Sequence, residues 1–137
     1  MKLKRIFKDE EGSTYVEAAV KVFVFAMLMC VVITVLPIFS LRMELSGFAN
    51  DAAKIIERSG CYDSSVRQRV EKLAEDRGLS PEFTVDTVYI SGSSNIQIGE
   101  SITVTAGQTY NMGFWIFGPY PVRLSVKAHG LSEVFYK

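Results

Sequence analysis

Residues 22–41 read VFVFAMLMCVVITVLPIFSL and decide the fold, since this stretch carries no charged residue. A helix needs about 20 residues to cross about 30 Å of hydrocarbon, and the stretch has that length. The core helix of a soluble protein would keep a polar stripe, whereas every helical face is apolar here. Pro37 predicts a kink near the far end, which a membrane helix tolerates. The sequence therefore predicts one membrane-spanning helix.

The charges that flank this helix predict its orientation. A cluster of four basic residues, Lys2, Lys4, Arg5 and Lys8, precedes it near the N-terminus, and Arg42 is the single opposing charge directly after Leu41. The positive-inside bias then places the N-terminus in the cytoplasm and everything after Leu41 across the membrane. No small-residue cleavage site of a secretory signal stands out between Pro37 and Gly47, so release as a soluble domain is not expected.

Overall charge and cysteine content narrow the function classes. Fifteen basic and fifteen acidic residues cancel, so no global field favours nucleic acid, and no direct nucleic-acid binding is predicted. Cys30 lies inside the apolar run and Cys61 well beyond it, so an intrachain disulfide is not expected. Cys61 is predicted to be an unpaired extracytoplasmic thiol, which is either a small, partly buried residue or a partner in an intermolecular bond.

The chain beyond the membrane helix predicts a small α+β domain. Apolar residues recur at helical spacing from Leu45 to Ile56, so the long helix should continue as an amphipathic rod and stop at Gly60. Ser65 and Gln68 form a capping-box pattern that predicts a second, short helix, ended by Gly78.

From Pro81 onward the period alternates, and four or five strands fit it. The predicted strands are residues 83–90, 96–98, 101–105, 109–117 and 122–129, with a bulge or bend at Gly99–Glu100 and a turn at Gly107–Gln108. In the last strand Val122, Leu124, Val126 and Ala128 should face the core. The expected architecture is an antiparallel β-meander packed against the two helices.

The segment just before the membrane helix, residues 9–18, reads DEEGSTYVEA. A charged leader ends at Gly12, and Glu17 follows five residues later at the head of the apolar helix. This pattern resembles the class III prepilin-like signal of type IV filament subunits. The resemblance implies that a prepilin peptidase cuts between Gly12 and Ser13. The chemistry suits such a cut, because a membrane-embedded peptidase needs an extended substrate beside the bilayer and glycine lets the backbone approach closely.

Two partners for the Glu17 carboxylate remain open. In a filament of packed helices, the new amine of Ser13 would be buried and would need a carboxylate from a neighbouring subunit. Alternatively, Glu17 pairs with Lys21 four residues on, at the interface of an ordinary membrane anchor.

The whole chain resembles the TadE-like minor pilins of tight-adherence systems and their Gram-positive relatives. Their Gly-x-x-x-x-Glu start leads into one helix and then a small head, whose later strands carry a segment like Ile96–Val104. The resemblance implies a cytoplasmic leader over 1–12, a transmembrane and assembly helix over 13–41, and an extracytoplasmic head over 42–137. It implies as partners a prepilin peptidase, other pilin subunits, and a pilus assembly platform with its ATPase. The alternative is an uncleaved single-pass subunit of a secretion or conjugation envelope complex, with the head as a binding domain.

Other chemistry-bearing residues give little support to catalysis. His129 is the only histidine and has no cluster of possible ligands around it, so no metal, cofactor or catalytic site is predicted, and the protein is not expected to be an enzyme.

The aromatic run Phe114–Phe117 should present one face to the core. The other face either packs on the first helix or forms a patch for a neighbouring subunit or a membrane surface, with Trp115, Phe117 and Tyr120 as the interface candidates.

Overall fold

The computed structural model describes residues 10–114 and 118–134, in which the chain is α+β as predicted. The elements in chain order are α1 (Glu10–Ser59), α2 (Ser64–Asp76), β1 (Glu82–Thr87), β2 (Ser101–Phe114) and β3 (Gly118–Leu131). The chain divides into two compact units, one up to Pro37 and one from Ile38 onward. The first contains only the N-terminal part of α1, and the second holds all the remaining structure.

Helix α1 runs for 50 residues and continues through Pro37. It ends where the sequence predicts, because Gly60 takes a left-handed backbone with φ of 60° and donates its N–H to the Ile56 carbonyl at 2.9 Å. Any residue with a side chain at position 60 would also collide with Val134. The end of α1 is therefore fixed by both backbone conformation and packing.

Helix α2 begins differently from the capping box expected at Ser65. Asp63 is the N-cap, and its Oδ1 accepts the Val66 N–H at 2.9 Å. The Ser65 hydroxyl lies inside the helix and donates to the same Asp63 oxygen at 2.8 Å. The predicted cap was wrong by two residues, because the helix already begins at Ser64, with Asp63 capping the Val66 N–H and Ser65 donating to the Asp63 carboxylate. The helix ends at Asp76, and Gly78, the residue predicted to stop it, follows with φ of 67°.

The sheet has three strands in the order β1-β2-β3, all antiparallel, which is fewer than the four or five predicted. The turn predicted at Gly107–Gln108 was wrong, since Gly107 is buried mid-strand and pairs with Glu82 on one side and Ser125 on the other. The predicted strands 101–105 and 109–117 are therefore one strand as far as Phe114. A glycine between two strands is held extended by hydrogen-bonded neighbours, which local sequence does not reveal.

The short strand predicted at residues 96–98 is also absent from the described structure. Instead, Ile96 makes a single bridge with Tyr89 and donates its N–H to the Gly60 carbonyl at 2.7 Å. The bend predicted at Gly99–Glu100 is present, with φ of 81° at Gly99. These contacts tie the connection between β1 and β2 to the end of α1.

The core lies between one stripe of α1, the apolar face of α2 and one face of the sheet. It contains apolar residues of both helices, and the buried Phe48 ring meets the partly buried Phe83 ring edge to face, with 5.9 Å between the ring centroids. The alternation predicted in the last strand is confirmed, with Val122, Leu124, Val126 and Ala128 turned inward. The buried apolar side chains are Leu45, Phe48, Ala49, Ala52, Ala53, Ile56, Val66, Val70, Ala74, Leu79, Ile96, Ile102, Val104, Ala106 and Ala128.

The hairpin of β2 and β3 extends well past β1. Strand β1 pairs only with residues 102–107 of β2, whereas β2 and β3 pair with each other along their full length. Residues 108–114 and 118–124, here named the free ribbon, are therefore paired only with each other among the described residues. Pro119 and Pro121 lie on its β3 strand.

Candidate functional site

The predicted cleavage point lies in the first turn of α1. The helix begins at Glu10, so the backbone at Gly12 and Ser13 is helical where a peptidase substrate was expected to be extended. The first N–H groups of a helix have no partner within the helix, and terminal turns open at little cost. Binding by a peptidase would thus require this turn to unwind. Cleavage between Gly12 and Ser13 stays a prediction.

Glu17 makes a local ion pair in the isolated chain. Its Oε1 lies 2.7 Å from the Lys21 Nζ, one helical turn further on, and both side chains are well exposed. An exposed pair at this spacing contributes about 0.3 to 0.5 kcal/mol in water. Of the two partners considered for Glu17, the structure shows the Lys21 ammonium, while the Ser13 amine of a neighbouring subunit stays a prediction.

The surface of α1 between these charges and Leu41 is apolar and uncovered. One helix, near the N-terminus, is long and apolar enough to span a membrane, and none of its most apolar window is buried within the described chain. Val22, Phe23, Val24 and Phe25 follow one another through a full turn of the helix, and each is at least half exposed. The large exposed side chains here include Val22, Phe23, Val24, Phe25, Met27, Leu28, Met29, Val31, Val32, Ile33, Leu36 and Phe39. Such a surface requires lipid or other helices around it.

The aromatic interface candidates fall partly outside the described residues. Trp115 and Phe117 are not described, and Tyr120 lies on the free ribbon with 67% of its surface exposed. Tyr120 pairs across the ribbon with Met112, and Val122 pairs with Tyr110. Sequence reasoning missed Tyr110 and Met112 as neighbours of Tyr120, because it began the last strand at Val122 and left Tyr120 outside it. The alternation of Tyr110 and Met112 with Thr109 and Asn111 was the available signal.

The polar contacts of the head join its helices and strands to one another. The Glu57 Oε1 accepts the Leu131 N–H at 2.7 Å, and the Glu57 carbonyl accepts the Glu133 N–H at 3.3 Å, which joins α1 to the end of β3. Arg77 forms an ion pair with Asp51 and so joins the end of α2 to α1. These residues were not singled out from the sequence, because the contacts connect distant positions.

The exposed His129 contacts a threonine hydroxyl. The His129 Nδ1 lies 3.0 Å from the Thr103 hydroxyl on the solvent face of the sheet, where the sequence placed it. Among residues 10–114 and 118–134, no group of three His, Cys, Asp or Glu side chains could hold a metal ion. Cys30 and Cys61 are both free thiols, exposed and half-buried respectively.

The open depressions on the surface of the head are not lined by a cluster of reactive side chains. One of 730 Å³ lies beside Glu57, His129 and Leu131, and another of 690 Å³ lies between α2 and β1, beside Tyr62 and Arg67. Burial raises the pKa of the Tyr62 hydroxyl, with the Arg67 charge opposing that effect. The strongest functional feature in the described chain therefore remains the N-terminal part of α1.

Comparison with known proteins assigns the chain to one family. The model of a family described as a domain of unknown function, DUF4320, matches residues 22–137. The match thus covers the apolar helix and the whole head, and it begins after Gly12 and Glu17. Neither a curated protein nor a solved structure matches the chain significantly. Since the family model covers most of the sequence, the chain belongs to the DUF4320 family.

Proposed function

We propose that this chain is a minor pilin or pseudopilin of a type IV, tight-adherence-like filament. A prepilin peptidase removes residues 1–12, and the exposed apolar helix then packs among those of other pilin subunits. The observation that carries the proposal is Gly12 and Glu17 ahead of a helix whose apolar surface nothing in the described chain buries. The protein acts structurally in this scheme and has no catalytic or cofactor role.

Location follows from the same scheme. Before assembly the chain is a single-pass protein of the cell membrane, with its basic N-terminus in the cytoplasm and its head outside. An assembly platform and its ATPase then move it into the filament. The basis is the cluster of four basic residues ahead of the apolar run.

Glu17 is central because its partner changes on assembly. In the isolated chain it is paired with Lys21 in an exposed position. Among packed helices the amine of Ser13, created by cleavage, takes its place as the partner on a neighbouring subunit. Removing one member of a buried pair costs about 3 to 5 kcal/mol, against about 0.3 to 0.5 kcal/mol for the exposed pair.

A second candidate function is an uncleaved single-pass subunit of a secretion or conjugation envelope complex. The ion pair between Glu17 and Lys21 favours it, because that pair leaves Glu17 satisfied without a Ser13 amine. The helical backbone at Gly12 favours it as well, since an intact helix is not an extended substrate. In this function the head is a binding domain and the leader stays attached.

The leader distinguishes the two functions directly. Mass spectrometry of the N-terminus of the protein from its native cells should show loss of residues 1–12, with Ser13 first. A bulky Gly12→Leu substitution should block cleavage and leave a longer, membrane-retained precursor. An intact leader in the wild-type protein would overturn the pilin proposal and support the envelope subunit.

Two matched variants test the role of Glu17. We expect Glu17→Ala to be cleaved normally but lost from sheared filaments, whereas Lys21→Ala, which breaks the same ion pair and keeps the carboxylate, should still assemble. Immunoblots of membrane and sheared-filament fractions measure both. Wild-type levels of Glu17→Ala in filaments, or equal loss of both variants, would contradict the assembly role.

A further inference from the structure

Strand β1 has one paired edge and one free edge. All six of its residues pair with β2, and no other described strand lies beside it. Alternate residues of a strand direct their N–H and C=O groups to opposite edges, so half of these groups in β1 point away from β2. None of the backbone hydrogen bonds that the described residues make outside helices and strands involves residues 82–87. Within the described chain, the outer edge of β1 therefore presents unused donors and acceptors to an extended backbone.

A surface depression runs along this free edge. It measures 690 Å³ and is lined by Pro81 and by five consecutive residues of β1, from Glu82 to Asp86. The residues that line its other side are Tyr62, Arg67 and Glu71, and the last two belong to α2. The depression thus follows nearly the whole length of β1. A strand added to β1 would lie in it, with the sheet on one side and α2 on the other.

The side chains along the edge are polar on one face and apolar on the other. The exposed residues are Glu82, Thr84 and Asp86, and the partly buried residues that pack against the core are Phe83 and Val85. Arg123 reaches Glu82 at 3.3 Å, but Asp86 makes no ion pair among the residues that the structure describes. Residues opposite each other on adjacent strands share a face, and opposite charges there are favourable. A strand that suits this edge has basic side chains at alternate positions and apolar ones between them.

A second copy of β1 does not suit the edge. When two copies keep their core faces on the same side, the antiparallel register centred on Thr84 sets Glu82 opposite Asp86 of the other copy. Like charges that lie directly opposite each other are destabilising. Charge therefore favours a strand from a different protein.

We propose that the free edge of β1 is a docking site for an extended, basic segment of another protein. The segment adds a fourth strand to the three-stranded sheet, between β1 and α2. Main-chain hydrogen bonds to β1 hold it, and its basic side chains lie opposite Glu82 and Asp86. The inference goes beyond the proposed function and uses only the head, so it applies to a cleaved filament subunit and to an uncleaved envelope subunit alike.

The test uses the full chain in nonionic detergent micelles and a synthetic peptide of alternating lysine and valine, as long as β1. A peptide of alternating glutamate and valine is the control, because it differs in the sign of its charge. Isothermal titration calorimetry measures binding, and amide hydrogen exchange measures protection of β1. We expect only the lysine peptide to bind. The amides of residues 82–87 that point away from β2 should then exchange at least about tenfold more slowly.

Two matched variants locate the site. Asp86→Lys places a like charge opposite the peptide's lysines, and should weaken binding of the lysine peptide roughly fivefold and allow the glutamate peptide to bind. Asp76→Lys makes the same change at an exposed residue of α2 that does not line the depression, and should leave the affinity unchanged.

Several results would overturn the proposal, namely no binding of the lysine peptide, equal binding of both peptides, equal effects of the two variants, or binding without slower exchange in β1. Slow exchange of the same amides in the free chain that becomes faster on dilution would identify a second copy as the occupant, and would overturn it as well. None of these measurements depends on cleavage of the leader or on filament assembly. Failure here therefore leaves the proposed function standing.

Discussion

The two parts of α1 place similar apolar residues in opposite surroundings. Before Pro37, Phe25 exposes 60% of its surface and has apolar neighbours on every side of the helix. Further along, Phe48 is fully buried, and charged residues such as Asp51 and Lys54 occupy the side facing water. One continuous helix thus changes from apolar on all faces to apolar on one stripe. The comparison teaches that charged residues on one side of the helix, which are absent from residues 22–41, distinguish the part that packs in the domain core from the part that can span a membrane.

Truncation of the two phenylalanines should show this difference most strongly. Phe48→Ala leaves a cavity beside Phe83 and should destabilise the head by about 3 to 5 kcal/mol. Phe25→Ala, in the uncovered region, should leave the head's stability unchanged within experimental error. Thermal unfolding of the full chain in detergent micelles, followed by near-ultraviolet circular dichroism, measures both. Similar melting temperatures for the two variants would contradict the assignment of separate surroundings.

The ends of the two helices give a second, smaller contrast. Gly60 and Gly78 both have positive φ, but a side chain at Gly60 would collide with Val134, whereas one at Gly78 meets no atom within 4 Å. Gly78→Ala should cost about 1 to 2 kcal/mol from backbone strain alone, and Gly60→Ala should cost more. Adding Val134→Gly, which removes the Cβ that the new side chain would meet, should recover only the excess. The same unfolding experiment tests this, and equal costs at the two glycines would show that Val134 does not close the end of α1.

The link between α1 and β3 provides a third test. Replacing Glu57 with glutamine keeps an oxygen acceptor for the Leu131 N–H but removes the charge, and should cost about 1 kcal/mol or less. Glu57→Ala removes the acceptor and should cost more. A side chain at Gly130 would collide with Glu57, so Gly130→Ala should be harmful in the wild-type chain and nearly harmless beside Glu57→Ala. Additive effects in that double variant would contradict the contact.

The smallest expected effect is a pH dependence at the start of α2. The Val66 N–H and then the Ser65 hydroxyl hold the pKa of the Asp63 carboxyl below its ordinary value of 3.8. Because the folded pKa is the lower one, the cap contributes its full stability above pH 3.8 and loses it as the pH falls through the folded pKa. Asp63→Asn still caps the helix but does not titrate. Its stability relative to wild type should therefore improve on acidification, and an unchanged difference between neutral and acidic pH would contradict the cap.

The sequence predicted features whose causes are local. The apolar run, the stripe from Leu45 to Ile56, and the helix ends at Gly60 and Gly78 are each specified by neighbouring residues, and the structure confirms them. Strand limits were less predictable. Gly107 resembles a turn residue in isolation, but pairing with Glu82 and Ser125 on its two sides keeps it extended. Such pairing depends on residues that are distant in the chain.

The candidate site was predictable only as a pattern. Gly12 and Glu17 were found from their spacing, and the ion pair between Glu17 and Lys21 also follows from helical geometry. What the Ser13 amine would meet depends on another chain, so neither the sequence nor a single subunit specifies it. The free ribbon was missed because its existence depends on how few residues of β2 are covered by β1.

The prolines of the free ribbon have a consequence for how copies of this protein can meet. Strand β3 is at an edge of the sheet, and Pro119 and Pro121 occupy alternate positions on it. Since proline has no N–H and is tolerated in strands where that group would face outward, an approaching strand would find two consecutive donors missing. Lys127 adds a charge further along the same edge. Growth of the sheet from molecule to molecule is thereby blocked along this edge, so a high local concentration of heads need not lead to amyloid-like stacking.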